Sequence, residues 1–183
     1  MIDLIDPKEY DLVITQLRGF FRNKGFIVTP VQHRPSILAA CEDPMTIATF
    51  SYAGDGWPLP QTGQMWLEIE LLTKPESPGY YCISTSYRNE PHPIPGRHNL
   101  IFPMFEFETR GNMEDLQKIE AELLEFLGFG PKAAYKEMSY EDVATRYGVE
   151  ELNAEHEERI WKEFGPVFFL KNFPLHTSPF WNM

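Results

Sequence analysis

Apolar residues recur at helical spacing near the start of the chain. Between residues 10 and 21 they lie three or four positions apart, behind Asp6-Pro7, which can cap and open a helix. Gly25 can end that helix in the left-handed conformation. Residues 26–29 then read as a short buried strand that stops at Pro30, because proline cannot donate to a sheet. The pattern predicts a helix of about four turns followed by a strand.

The rest of the chain mixes helical and strand patterns. Residues 31–60 predict loops and short strands, and residues 61–72 a second helix. Three further helices are predicted to begin at Asn112, Ser139 and Asn153 and to end at Gly128, Gly148 and Gly165, with Leu116, Ile119, Leu123 and Leu124 of the first one facing inward. Residues 167–170 predict one more buried strand, so the expected fold class is α+β.

Two alternating segments in the middle of the chain carry most of the candidate chemistry. In residues 80–88 one face holds Cys82, Ser84, Ser86 and Arg88; in residues 101–110 one face holds Phe102, Met104, Glu106 and Glu108. If the segments pair as a hairpin across the loop at residues 91–96, these faces combine with Glu90 into a polar floor, and the two serines leave room for a ligand. A half-exposed sheet with an ordinary polar outer face explains the same pattern.

Composition narrows the class of protein. The 183 residues, 43% of them hydrophobic, predict a single domain over residues 1–183. A formal charge of −11 counts against a large nucleic-acid platform, although a local basic pocket remains compatible with it. Cys41 and Cys82 are far apart and have no neighbours at metal-ligand spacing. Without a secretory signal or an apolar run that could span a membrane, we expect a cytoplasmic protein with no membrane partner.

The hairpin segments also resemble a known motif. Tyr87-Arg88-Asn89-Glu90, then Arg97-His98, then the strand that ends at Glu106, resemble motif 2 of class II aminoacyl-tRNA synthetases, over about residues 80–110. The family pattern is Phe-Arg-x-Glu, a variable loop, Arg-His and a Glu-Phe-x-Met-x-Glu strand. The strand-loop-strand predicted from alternation is the context that this motif requires.

Three other segments resemble the same family in the same chain order. Residues 17–30, with the sequence from Gly25 to Pro30, look like motif 1, whose proline lies at the dimer interface in the family. Residues 62–68 are similar to a Ser-Gly-Gln-Leu-x-x-Glu element of asparaginyl-tRNA synthetases, and residues 172–183 to a Tyr-Pro…Pro-Phe-Tyr segment. The resemblance points to the aspartate, asparagine and lysine subgroup, and implies a mixed, mainly antiparallel sheet flanked by helices and a homodimer formed through motif 1.

The resemblance assigns roles to individual residues. Adenylate formation brings a carboxylate against the α-phosphate of ATP, so a guanidinium that donates to both anions lowers the barrier; by motif match Arg88 is this catalytic group. Arg88, Glu90, Arg97, His98 and Phe102 are the expected ATP-binding residues. Gln64, Glu68, Ser84 and Glu106 are the expected substrate-binding residues, and Gln64 and Glu68 suit an amide or amine side chain better than a bare carboxylate.

Plainer roles exist for several of these residues. Arg88 could form a surface ion pair with Glu106 or Glu108, and His98 could be a surface histidine. Gln64 and Glu68 could be the polar face of an ordinary helix.

The chain also departs from the family pattern. Leu100-Ile101-Phe102 replaces Pro-Glu-Phe, and neither motif 3 nor an anticodon-binding domain occurs between Met1 and Met183. We therefore expect a core truncated at its C-terminal end, with most Mg²⁺ ligands outside this sequence. The predicted function is ATP-dependent activation of an asparagine- or aspartate-like amino acid, with tRNA as one acceptor. The alternatives are a tRNA-independent ligase of the asparagine-synthetase type and a non-catalytic nucleotide-binding or dimerising paralogue.

Overall fold

The computed structural model of the chain describes residues 5–31, 46–96 and 98–177. Its helices are α1 (Pro7–Asn23), α2 (Gln64–Thr73), α3 (Met113–Phe126), α4 (Tyr140–Tyr147) and α5 (Ala154–Phe164); its strands are β1 (Ile27–Val28), β2 (Thr49–Tyr52), β3 (Asp55–Pro58), β4 (Gly79–Tyr87), β5 (Ile101–Thr109), β6 (Lys136–Ser139) and β7 (Phe168–Lys171). The predicted α+β class is confirmed. The elements fall into two compact units that divide between Arg110 and Gly111. The expectation of one domain over residues 1–183 stays a prediction.

The first unit is built on a three-stranded sheet in the order β1-β4-β5. Strands β4 and β5 pair antiparallel along their whole length, from Gly79 opposite Thr109 to Tyr87 opposite Ile101. This confirms the predicted hairpin. Directly opposite residues of an antiparallel pair point to the same side of the sheet, so the even-numbered residues of both strands share one face and the odd-numbered residues share the other. We call these the polar face and the aromatic face.

Helix α1 covers the aromatic face. Phe21 is fully buried, and its ring centroid lies 5.2 Å from that of Phe105 and 4.7 Å from that of Phe107. Tyr81 stacks on Phe105 at 5.1 Å, and Phe26 meets Phe21 edge-on at 5.2 Å. Offset and edge-on contacts are the arrangements that aromatic rings favour, so this cluster fixes α1 against the hairpin.

Helix α2 packs against part of the polar face. Leu67 and Leu71 of α2 form one buried cluster with Val31, Tyr80 and Cys82. The hydrophobic end of the polar face is therefore closed by a helix. The remaining even-numbered positions lie further along the hairpin, towards Arg88.

Helix α2 begins at Gln64, three residues later than the sequence predicted. The residues before it are held by the sheet instead: Gly63 donates its backbone N–H to Glu106 at 2.8 Å, and the Thr62 hydroxyl donates to the same carboxylate. This approach is very close, because a Cβ on Gly63 would lie 2.7 Å from Cys82 Sγ and 3.0 Å from a Val31 methyl carbon. Only glycine fits without displacing its neighbours.

Replacing Gly63 by alanine is expected to destabilise the first unit by about 1–3 kcal/mol, the usual cost of overpacking a close contact. Urea unfolding midpoints measure the change. Gly19 is the matched control, since it lies within α1 with nothing within 4 Å of its added Cβ, and Gly19→Ala is expected to be neutral or stabilising. Equal midpoints for the two variants would contradict the close approach.

Strand β1 lies where the sequence predicted it but is not buried. Its Ile27 and Val28 are 51% and 45% exposed, whereas Phe26 and Thr29 beside them are buried. The prediction of a buried strand was wrong because, among the residues that the structure describes, β1 lies at the edge of its sheet and pairs only with β4, parallel, with Ile27 opposite Tyr80. The side chains of Ile27 and Val28 therefore remain about half exposed.

Residue 31 and residues 46–60 are the described part of the segment predicted as loops and short strands. Strands β2 and β3 form an antiparallel ribbon here, with Phe50 opposite Trp57. The turn between them uses Ala53 and Gly54 at positive φ, the geometry of tight hairpins. This part of the prediction is confirmed.

The second unit contains α3, α4 and α5 with the parallel pair of β6 and β7. Asn112, Ser139 and Asn153 cap the three helices, as the sequence predicted. None of the α3 residues is buried, and Leu116 is 41% exposed, so its predicted inward position was wrong. Strand β7 is only half-buried and Val167 just before it is buried, since the two-stranded pair covers little of its own surface.

The described residues contain no helix that combines the length and the apolar character needed to cross a membrane.

Candidate active site

The candidate site is the part of the polar face that runs from Arg88 to Glu106. Ser86 lies opposite Phe102, Ser84 opposite Met104 and Cys82 opposite Glu106, so these side chains share one side of the hairpin. Arg88 follows β4 on the same alternation. The face predicted from the sequence is therefore assembled as expected, with the cation at one end and the carboxylates towards the other.

Arg88 and Phe102 lie close together on this face. The guanidinium carbon of Arg88 is 5.8 Å from the Phe102 ring centroid, within the range of a cation–π contact, and its Nε donates to Ser86 Oγ at 3.3 Å. Both side chains are half-buried. Arg88 is thus held over an aromatic ring with part of its surface still accessible.

Glu106 is the anchor of the site. It is 6% exposed and accepts hydrogen bonds from the Thr62 hydroxyl, from the Gly63 backbone at 2.8 Å and from Ser84 Oγ at 2.5 Å. The thiol of Cys82 lies 3.7 Å from the same carboxylate. These donors compensate the cost of burying a carboxylate, and they attach the start of α2 to the middle of β5.

The space that we expected beside Ser84 is filled. Ser84 is 3% exposed and donates to Glu106, and Ser86 is fully buried and accepts from Arg88 Nε, so the expected room for a ligand beside the two serines was wrong. The cause is the turn that leads into α2, which brings Thr62 and Gly63 down onto the sheet. Direct contact of Ser84 and Glu106 with a substrate stays a prediction; the hydrogen bonds present make both residues supports of α2.

The thiol of Cys82 is fully buried beside this carboxylate. Burial raises its pKa far above the usual range, and the nearby Glu106 raises it further. The thiol therefore stays protonated, which suits its role as a donor to Glu106 and agrees with the expectation that it is a small buried side chain.

A second carboxylate lies next to Glu106 on the polar face. The pKa of Glu108 is raised from 4.5 to about 7, mainly by burial and in addition by the negative charges of Glu68 and Glu106. Glu68, on α2, is exposed, as is Gln64 one turn before it. Three carboxyl groups thus converge where α2 crosses the polar face.

The raised pKa of Glu108 predicts a pH dependence of stability. The folded chain holds the Glu108 proton more tightly than the unfolded chain, so the free energy of unfolding is expected to fall as pH rises from about 4.5 to about 7 and then to level off. Urea unfolding across this range measures the slope. Glu108→Gln cannot titrate and is expected to lose this contribution; parallel curves for the variant and the wild type would contradict it.

The loop between the hairpin strands holds the other predicted ATP ligands. Glu90 is half-buried, and His98 is exposed, with its Nδ1 accepting from the Ile94 backbone at 3.3 Å. The backbone N–H of His98 donates back to the Ile94 carbonyl at 2.9 Å, which closes the loop locally. Arg97 lies outside the described residues. ATP contacts for all three residues stay predictions.

Sequence reasoning missed the polar residues that hold the site in place. Thr62 and Gly63 were noted only for their resemblance to a family element, and Gln61 only as the first residue of a helix. Gln61 is in fact 4% exposed and donates to Thr46 across a separation of 15 residues. The one local signal was Thr62-Gly63 directly before an apolar helix, because threonine and glycine favour the turn that leads into a helix over its interior.

The described residues offer no group of three or more histidine, cysteine or acidic side chains arranged to hold a metal ion. The three carboxyl groups around Glu108 therefore do not fit a Mg²⁺ site. The role of Mg²⁺ stays an expectation from the resemblance.

Solved structures with a similar fold are known. Solved structures similar to the chain include asparaginyl-tRNA synthetase from Pyrococcus horikoshii complexed with asparaginyl-adenylate, at 21% identity and a TM-score of 0.75. The similarity covers 93% of this chain and 45% of that one. Asparaginyl-tRNA synthetase from Entamoeba histolytica with asparaginyl-adenylate matches at 18% identity and a TM-score of 0.72, over 92% of this chain and 43% of that one.

A second structure of Entamoeba histolytica asparaginyl-tRNA synthetase matches at 18% identity and a TM-score of 0.68, over 92% of this chain and 44% of that one. The chain thus spans less than half the length of these structures. No curated protein sequence matches it. The sequence pattern of the tRNA synthetases class II (D, K and N) matches residues 10–183. With the hairpin and helices arranged as in this fold, the chain belongs to the class II tRNA synthetase family of the aspartate, lysine and asparagine type.

Proposed function

We propose that the chain contributes to the ATP-dependent activation of an amino acid as its aminoacyl adenylate. The observation that carries the proposal is the placement of Arg88 and Phe102 on one accessible face, 5.8 Å apart. An aromatic ring suits a purine, and a guanidinium beside it suits the phosphate that the purine nucleotide carries. Membership of a ligase family adds the reaction class.

The reaction asks two things of these residues. A carboxylate oxygen of the amino acid attacks the α-phosphorus of ATP, the bond from that phosphorus to the bridging oxygen breaks, and pyrophosphate leaves. The attacking carboxylate and the phosphate repel each other, so Arg88 lowers the barrier by donating to both and by placing them together. Phe102 holds the base by stacking, with Glu90, Arg97 and His98 as the further expected ATP contacts.

The charge of the polar face favours an asparagine-like substrate. Burial, and after it the negative charges of Glu68 and Glu106, raise the pKa of Glu108 to about 7, and a substrate with an acidic side chain would add a fourth carboxylate to this group. An amide can donate to these oxygens, and an ammonium can also neutralise them. Gln64 and Glu68, both exposed on α2, are the expected side-chain contacts.

The acceptor of the activated amino acid defines two versions of the proposal. Transfer to tRNA is the reaction of the family. Transfer to a small amine such as ammonia is the second candidate. The formal charge of −11 on the 183-residue chain favours it, because an acidic surface repels a polyanion such as tRNA. A non-catalytic paralogue that binds nucleotide is the outcome if neither transfer occurs. A cytoplasmic location is part of the proposal and rests on the sequence.

The test is ATP–pyrophosphate exchange by the purified chain with each amino acid in turn, first without tRNA. Exchange with asparagine above all other amino acids is the expected result. Adding tRNA or ammonia to the active mixture then identifies the acceptor by the product formed. ATP binding with no exchange for any amino acid would overturn the proposed activity and indicate a nucleotide-binding paralogue.

We also propose that the first unit forms a homodimer through the motif 1 region. Residues 27 and 28 of the edge strand are half-exposed apolar side chains, and α1 exposes Leu12 (58%) and Val13 (48%) as well. Exposed apolar side chains on a helix and on a strand suit contact with a second copy of the same elements. Pro30, two positions after Val28, is exposed as well.

Charging this surface is expected to shift the chain from dimer to monomer. Val28→Lys places a cation at the strand edge, which opposes pairing with another copy. Sedimentation equilibrium measures the mass against 21.3 kDa for one chain. Leu72→Lys, at an apolar position on α2 that is 66% exposed, is the matched control and is expected to stay dimeric. A monomeric wild type would contradict this part of the proposal.

A further inference from the structure

A buried glutamine outside the predicted site is held against a loop residue. Gln61 is 4% exposed, and its Nε2 donates to the Thr46 carbonyl at 3.1 Å and to the Thr46 hydroxyl oxygen at 2.9 Å. The orientation of the amide follows from these contacts, because a backbone carbonyl only accepts. The nitrogen must face Thr46, and the oxygen must face away from it.

The carbonyl of Thr46 has a second donor. The backbone N–H of Asn89 donates to it at 2.8 Å, so Gln61 and Asn89 meet at one oxygen. Asn89 is the residue after Arg88 and lies two positions beyond the end of β4. At this point the regular ladder no longer holds the chain, and the contact with Thr46 takes its place.

The neighbouring backbone groups extend the same arrangement. Tyr87 donates to the Pro60 carbonyl at 2.9 Å, and Arg88 donates to the Leu100 carbonyl at 2.8 Å. The main chain on both sides of Arg88 is thus linked to residues 60 and 61. Tyr87 bonds to Pro60 directly, and Asn89 bonds to the Thr46 carbonyl that Gln61 also contacts. A side chain whose direction matters is fixed most firmly when its own backbone is fixed on both sides.

Stability alone gives a poor account of a glutamine at position 61. Among the described residues its Oε1 is buried and has no hydrogen-bond partner. A buried acceptor without a partner costs free energy, and an apolar side chain of the same size would avoid that cost. What the amide provides and an apolar side chain cannot is the pair of donor contacts to Thr46.

We propose that Gln61 is a positioning residue for Arg88: by holding the Thr46 carbonyl it fixes the backbone at Asn89 and thereby the direction in which the Arg88 guanidinium leaves the strand. The catalytic consequence rests on the function proposed above for Arg88. The structural part, the link from Gln61 through Thr46 to Asn89, does not depend on that function. The two parts are therefore measured separately.

The structural part is tested by hydrogen exchange at single amides, followed by NMR on the 183-residue chain. In Gln61→Met the Asn89 amide is expected to exchange about tenfold faster or more, because its acceptor is no longer held. The Thr29 amide, which donates to the Tyr81 carbonyl at 2.7 Å in the same unit, is the internal reference and should keep its rate. The Nε–H signal of Arg88 is expected to shift in the same variant.

Two further variants control the comparison. Thr46→Val removes the 2.9 Å contact between Gln61 Nε2 and the hydroxyl, keeps the Thr46 carbonyl, and serves if Gln61→Met does not fold; it is expected to change the Asn89 rate in the same direction by less. Gln117→Met removes a glutamine amide from the second unit and should change neither readout. Unchanged exchange at Asn89 in both Gln61→Met and Thr46→Val would overturn the proposal.

The catalytic part is tested by steady-state exchange of pyrophosphate into ATP. Gln61→Met is expected to lower kcat by about tenfold to about 100-fold with little change in KM for ATP, the pattern of a displaced catalytic group rather than a lost binding contact. Unchanged kcat with a loosened Asn89 amide would overturn the positioning role. Absence of exchange in the wild type would instead contradict the proposed function, while the Asn89 and Arg88 signals would still decide the structural link.

Discussion

Arg88→Ala is expected to lower ATP–pyrophosphate exchange by about 100-fold to about 1000-fold, the range observed when one preorganised donor to a developing anion is removed. The reason is charge as well as geometry. Arg88 is half-buried over Phe102, where a guanidinium is less screened than at an open surface, and no other described cation is placed beside that ring. The loss should appear in kcat, since the contact is strongest when the carboxylate meets the phosphate.

Two variants separate the contributions of charge and shape. Arg88→Lys keeps the charge but loses the planar pair of donors, so it is expected to recover only a small part of the rate. Arg18→Ala removes an exposed arginine from α1 and should leave the rate unchanged. If Arg88→Lys were as active as the wild type, a general electrostatic role would replace the bidentate role argued above.

Glu106→Ala is expected to destabilise the first unit by about 3–5 kcal/mol, because it leaves several buried donors unpaired and opens a cavity. The donors are the Thr62 hydroxyl, the Gly63 backbone N–H and the Ser84 hydroxyl. The Gly63 N–H is the most serious loss, since a backbone group cannot rotate to a new acceptor. Urea unfolding followed by fluorescence measures the change.

The neighbouring carboxylate provides a matched control for this experiment. Glu108 lies two positions along the same strand and face, and its raised pKa shows that its charge is unfavourable there. Glu108→Ala is therefore expected to cost much less than Glu106→Ala near neutral pH. Similar costs for the two variants would mean that the hydrogen bonds of Glu106 contribute little to holding α2.

The hairpin was predictable because its information is local. Alternation along β4 and β5 assigns each side chain to a face once the strands are paired, and the observed register places Ser86 opposite Phe102 as that assignment requires. The caps at Asn112, Ser139 and Asn153 were predictable for the same reason, since a capping side chain acts within three residues of itself.

The supports of the site were not predictable, because they depend on distant residues. Thr62 and Gly63 form hydrogen bonds with Glu106 across 44 and 43 residues, and a periodic sequence pattern does not predict contacts at such separations. The exposure of Ile27 was missed because a strand sequence does not state whether it has one neighbour or two. In each case the element was predicted within a few residues and the contacts that it makes were not.

The alternation of β4 and β5 also limits how this stretch of sequence can change in length. One residue inserted into the middle of β4 would turn Ser86 and Arg88 towards the aromatic cluster around Phe21. The odd-numbered residues of β4 that follow the insertion would move to the polar face. An insertion at residues 91–96, which are exposed between the strands, would leave both faces as they are. Length variation among proteins that share this hairpin is therefore expected in that loop. Within a strand, an insertion or deletion of two residues is the smallest change that keeps each side chain on its original face.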